Sequence, residues 1–158
     1  MEVGINASMC DDATLKLASA LHPIFRKLGN RLGGDYGGVM EHLWIDFELI
    51  DLRANSDGKP RYPFRLQKRV SGRSRFGLPP VPDQFNVGHF SVRPDLALLP
   101  SLSEAQVVPY ALALIYEASS VLLEKQKKLG GFDAVRFRAK IHEECGKLGY
   151  SFPAQEGS

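Results

Sequence analysis

The sequence predicts a two-layer α+β fold: an N-terminal helix, a three-stranded antiparallel meander, and two C-terminal helices packed on one face of the sheet. Three observations carry this reading. Apolar residues recur at helical spacing from Leu17 to Leu28, from Val108 to Leu122 and from Ala134 to Leu148. Between the first and second of these blocks, segments 41–52, 62–70 and 85–94 alternate apolar and polar residues, the mark of a sheet with one wet face. Helices flanking such strands must cover the other face. A chain of 158 residues, 44% hydrophobic and 24% charged, fits a single globular domain over residues 1–152, with a disordered tail at 153–158.

In the first helix Leu17, Leu21, Ile24, Phe25 and Leu28 share a face, Asp11 or Asp12 is a candidate cap, and Gly29 a candidate stop. Pro23 predicts a kink, because it removes an amide donor and crowds the preceding turn. Five glycines among residues 29–38 predict a mobile connection. In "EHLWIDFELIDL" (41–52) the apolar Leu43, Ile45, Phe47 and Leu49 oppose His42, Trp44, Asp46 and Glu48. Alternation breaks at Ile50, so a bulge or strand end is expected near Leu49. Asp57-Gly58 reads as a hairpin turn leading into a returning strand, with Phe64 and Leu66 on the core side and Arg65, Gln67 and Arg69 opposite. Centring the hairpin on that turn makes paired residue numbers sum to 115, so that Leu49 faces Leu66 and Asp46 faces Arg69. A sum of 113 sets Glu48 against Arg65 and Trp44 against Arg69.

The stretch 71–84, with three prolines and two glycines, reads as a long loop of the kind that is usually functional or disordered. In the third strand Phe90 and Val92 oppose His89, Ser91 and Arg93, and Pro94 ends it. Ser101 with Glu104, or Ser103 with Gln106, offers a capping box for the second helix. Its broad apolar face, from Val108 through Leu112 and Ile115 to Leu122, predicts a buried helix, and Pro109 predicts a kink or a later start. Gly130-Gly131 closes it. Asp133 caps the last helix, whose face runs through Ala134, Phe137, Ile141, Cys145 and Leu148.

Net charge is +2, too small for a global field toward nucleic acid or membrane. Between Lys59 and Pro82, however, seven basic residues stand with no acidic one, leaving 13 basic against 18 acidic residues elsewhere, a basic band on a body of charge −5. Cys10 and Cys145 lack metal-ligand spacing and predict free thiols in a cytoplasmic, reducing setting. No apolar run is expected to span a membrane, and no cofactor or metal motif is found. His142 and Cys145 lie three apart on a helix without a second ligand pair, so they predict a solvated histidine beside a core thiol.

The polar sheet face collects the residues that could carry function. His42, Asp46, Glu48, His89 and Arg93 are the types that acid/base chemistry on a phosphodiester needs: a proton carrier, a carboxylate to orient it, and a guanidinium to stabilise negative charge. Yet His42 and Asp46 are separated by about 13 Å of strand, and opposite charges across strands also occur for solubility alone. Trp44, Arg65, Arg69, Arg73, Arg75 and Phe76 instead suit a binding surface, with the basic loop settling on an acidic protein or nucleic acid. The expected function is a non-enzymatic binding or regulatory protein that holds an acidic partner or self-associates as a homodimer. A phosphodiester-acting enzyme is the alternative.

The segment order and Tyr62-Pro63-Phe64 distantly resemble the ubiquitin-conjugating fold. No cysteine follows the strands where that family keeps its nucleophile. His89-Phe90-Ser91 resembles one half of the paired His-x-Ser/Thr motifs of two-histidine phosphoesterases, and no second copy exists.

Overall fold

The computed structural model describes residues 1–9, 12–49, 63–71 and 83–148. Four strands, β1 (Glu2–Met9), β2 (Met40–Leu49), β3 (Arg65–Ser71) and β4 (Asp83–Val92), form one mixed sheet in the order β1-β2-β4-β3. β1 and β4 both run parallel to β2, and only β3 is antiparallel, pairing with β4. Helix α1 (Leu15–Leu32) connects β1 to β2. Helices α2 (Glu104–Ala118), its short continuation α3 (Ser120–Glu124) and α4 (Ala134–Lys147) follow the sheet.

The α+β class stands, but the antiparallel meander does not. β4 lies between β2 and β3, so the expected pairs Leu49 with Leu66, Asp46 with Arg69, Glu48 with Arg65 and Trp44 with Arg69 are not made. Alternation decides which face a side chain takes, whereas the neighbouring strand is chosen by backbone pairing across the whole sheet. A strand at the N-terminus was also unforeseen, although Val3, Ile5 and Ala7 alternate with Glu2, Asn6 and Ser8.

Face assignment is as expected. Val3, Ile5, Leu43, Ile45, Phe47, Leu49, Phe90 and Val92 are buried in one core with the helices, and Phe64 and Leu66 pack against it. β2 ends at Leu49, where a bulge or strand end is expected, and a bulge falls at its start, between Met40 and His42. It places both Met40 and Leu43 on the core side, over Gly88, where a Cβ would lie 2.2 Å from Met40 Sδ. Phe25 of α1 meets Phe47 with ring centroids 4.6 Å apart, and Gly29 lets the same helix touch β1, since a Cβ there would lie 2.5 Å from the Val3 carbonyl.

Helix α1 runs through Pro23 and past Gly29 to Leu32, entered by a 3-10 turn at Asp12–Thr14, and Asp11 lies outside what is described. At Pro23 the helix needs only one donor fewer, and Gly29 is held helical because its bare Cα is what the contact with β1 requires. The Ser103/Gln106 capping box and the Asp133 cap of α4 are both formed. Ser101 instead hydrogen-bonds the Leu98 carbonyl. Within Glu104–Glu124 an 18-residue window has mean hydropathy 1.4, long and apolar enough to cross a membrane by length and composition only. Val107, Ala111, Leu112, Ile115 and Leu122 turn its apolar stripe into the core. Residues 71, 83 and 84, expected in the loop, belong to strands. Asp57-Gly58, Cys10, residues 72–82 with Arg73, Arg75 and Phe76, the 153–158 tail and the Arg69 side chain lie outside what is described.

A buried carboxylate ties α1 to α4. Glu144, with 4% of its side chain exposed, accepts from Lys147 Nζ at 3.0 Å and faces Lys140 Nζ at 3.4 Å. Its Oε2 sits 3.2 Å from Arg31 Nε, an ion pair whose angle falls short of a hydrogen bond. Burial alone would raise this carboxyl, but the bonds from Lys147 and Lys140 and the charge of Arg31 outweigh it and hold its pKa below the ordinary glutamate value. A depressed carboxylate contributes stability above its unfolded pKa, and this is lost as pH falls through the folded value. Glu144→Gln is therefore expected to lower stability at pH 7 by about 1–3 kcal/mol, the worth of hydrogen bonds to a charged group less the screening of half-exposed partners. The gap to wild type should close as pH falls below about 4.3. Urea unfolding across pH checks this, and a gap that persists undiminished at pH 2 would contradict it.

Candidate binding face

The register sets the outer side of the sheet in rows. Glu2, His42, Val87 and Gln67 form the first, Gly4, Trp44, His89 and Arg65 the second, and Asn6, Asp46 and Ser91 the third. Ser8 and Glu48 begin the fourth, with Arg93 reaching Glu48 from just beyond β4. The expected polar residues His42, Trp44, Asp46, Glu48, Arg65, Gln67, His89, Ser91 and Arg93 share this face, together with four β1 residues that the sequence reading did not include.

Only part of this face is open. Val87 and Ser91 are 2% exposed and Glu48 is 3% exposed, whereas Trp44 is 39% exposed and Asn6 and Glu2 stand in solvent. The expected wet face is therefore wet mainly along β1 and β2. Trp44 lies down across its neighbour in the sheet: a Cβ on Gly4 would come within 2.6 Å of the six-membered ring of the indole. An aromatic covering a glycine on an edge strand restores the packing that glycine lacks. The His42 ring tilts against the indole at 4.8 Å between centroids, and His42 Nδ1 lies 3.5 Å from Glu2.

Each candidate catalytic group has its own structural partner. Ser8 Oγ donates to Asp46 Oδ1 at 2.5 Å. Arg93 Nε donates to Glu48 Oε2 at 2.9 Å, with both side chains at least nine-tenths buried. Arg65 Nε donates to His89 Nδ1 at 3.3 Å, and an imidazole that accepts at Nδ1 carries its proton on Nε2. Trp44 stands between His42 and Asp46 on β2, so the two histidines and the carboxylates do not close around one point. Asp46 and His89 do line a common depression of about 280 Å³ with Asn6, Trp44 and Ile45.

Among the described residues, no group of three histidine, cysteine, aspartate or glutamate side chains is placed to hold a metal ion. Cys145 is buried in the core of α4, and burial, with the adjacent Glu144 charge, pushes its thiol up to about 11. It is an unreactive core residue at neutral pH. His142 is exposed, with its ring 6.3 Å from that of Tyr116.

Compared with family models, with curated proteins and with solved structures, the chain finds no match in any of the three. The reading of function rests on the site itself.

Proposed function

We propose that this is a non-enzymatic binding or regulatory protein that works through the outer face of its sheet. The basic band of residues 59–82 takes an acidic protein or nucleic acid, or the outer face pairs with a second copy of the chain. The observation that carries this reading is Trp44, a large aromatic held open on a sheet face, backed by Gly4 and His42 so that it is rigid before anything binds. Aromatics of this kind are over-represented among the residues that dominate interface energies. β1 and β3, which end the sheet, add backbone edges on which another strand can pair.

The phosphodiester reading is narrowed to Asp46 and His89, which share the depression, since His42, Glu48 and Arg93 are committed to contacts outside it. Trp44 is the single tryptophan of the chain, so its emission reports this face directly. Binding is expected to shift that emission to the blue, either with rising protein concentration, in step with the mass from sedimentation, or on titration with poly-glutamate or a single-stranded oligonucleotide. Emission that ignores all three would refute both the acidic partner and self-association. Hydrolysis of an activated phosphodiester that is lost in His89→Ala would favour the enzyme instead.

A further inference from the structure

We infer that the depression beside Trp44 is a receptor for a guanidinium group, the arginine side chain of a peptide or protein laid against the outer sheet face. The inference rests on that face being a binding surface and names the chemistry it selects.

Three groups define what the depression accepts. The indole lies over Gly4 with 39% of the residue exposed, presenting an aromatic surface that attracts cations through its quadrupole. Asp46 stands two residues along the same strand. Its Oδ1 accepts from Ser8, which fixes the carboxylate while leaving lone pairs on both oxygens for a further donor. Asn6, directly beside Asp46 in the register and exposed, adds an amide oxygen. An aromatic plane flanked by a fixed carboxylate and a carbonyl matches a flat, five-donor cation. The compact ammonium of lysine can use the charge but neither stacks nor forks.

Among the described residues, the neighbouring cations do not fill this role. Arg65 is turned to His89 and Arg93 to Glu48, each through its Nε, and neither lines the depression. At about 280 Å³ the cavity sits at the small end of ligand pockets. It has room for an arginine side chain. The exposed Glu2 carboxylate, on the same strand as Asn6, extends the negative potential along the route such a peptide would follow.

The test uses the full chain and three probes: an acetylated, amidated Gly-Arg-Gly peptide, its lysine counterpart, and arginine methyl ester. Binding is read by calorimetry and by backbone NMR shifts. The arginine peptide is expected to saturate and to perturb residues 4–6, 44–46 and 89, with the lysine peptide several-fold weaker. Asp46→Asn is expected to weaken the arginine peptide tenfold or more, and Trp44→Leu to remove saturable binding, both at a thermal midpoint near wild type. If either variant fails to fold, Asn6→Ala with wild-type melting should still weaken the peptide. Methyl ester that binds as well as the peptide would overturn the peptide source. No saturation by any guanidinium probe, or equal affinity in Asp46→Asn, would overturn the site. Protein that associates through this face while ignoring the arginine peptide refutes this inference alone. A face on which Trp44→Leu alters neither association nor peptide binding refutes both readings.

Discussion

Gly38→Ala is expected to lose about 3–5 kcal/mol of stability, enough to unfold a marginal domain. Gly38 has φ +75°, a left-handed conformation that costs an L-residue about 1–2 kcal/mol by itself. The larger part is steric. A Cβ at this position would lie 2.1 Å from the Phe132 nitrogen and 2.7 Å from the Gly131 carbonyl carbon. These are backbone atoms, and they cannot swing aside. They also belong to the turn that brings α4 onto the core, where the Asp133 amide donates to the Tyr36 carbonyl at 2.8 Å. Gly37 is the internal control. Its φ is +72°, but its nearest neighbour would be the Gly131 oxygen at 3.1 Å, so Gly37→Ala should cost little beyond the backbone term, about 1–2 kcal/mol. Urea unfolding of the two variants side by side checks the argument, and equal losses would refute it.

Phe47→Ala should cost a similar 3–5 kcal/mol, for a different reason. The ring is 1% exposed and meets Phe25 at 4.6 Å, joining α1 to the centre of the sheet. Truncation leaves a cavity between two elements whose backbones are already fixed by the parallel pairing of β1 and β2. Collapse to fill it is therefore limited. Val135→Ala, at a position 66% exposed, should change the unfolding midpoint by little. A Phe47→Ala variant as stable as Val135→Ala would mean that α1 does not depend on this contact.

Much of the site was legible because strand alternation is a local property. Leu43, Ile45, Phe47 and Leu49 announced the core face of β2, and His42, Trp44, Asp46 and Glu48 the other, whatever the neighbouring strands were. Caps at Ser103 and Asp133 were legible for the same reason, since their hydrogen bonds span three residues. The partners of the functional side chains were not local. Asp46 was expected to face Arg69 and instead takes Ser8, 38 residues away and parallel. Glu48, set against Arg65 in the alternative register, instead holds Arg93, just beyond the end of β4. The β1 pattern from Val3 to Ala7 did alternate, but its place beside Trp44 becomes visible only in the sheet.

By itself, then, the sequence determined the faces of strands and helices, the caps and the α+β class, because these follow from spacings of two to four residues. Tertiary structure decided the strand order, the partner of each charge, and which half of the polar face is open. Those depend on free energies shared among segments distant in the chain. The covering of Gly4 by Trp44 shows the division: Trp44 stood out in the sequence but Gly4 did not, and only parallel pairing of β1 with β2 makes them one surface.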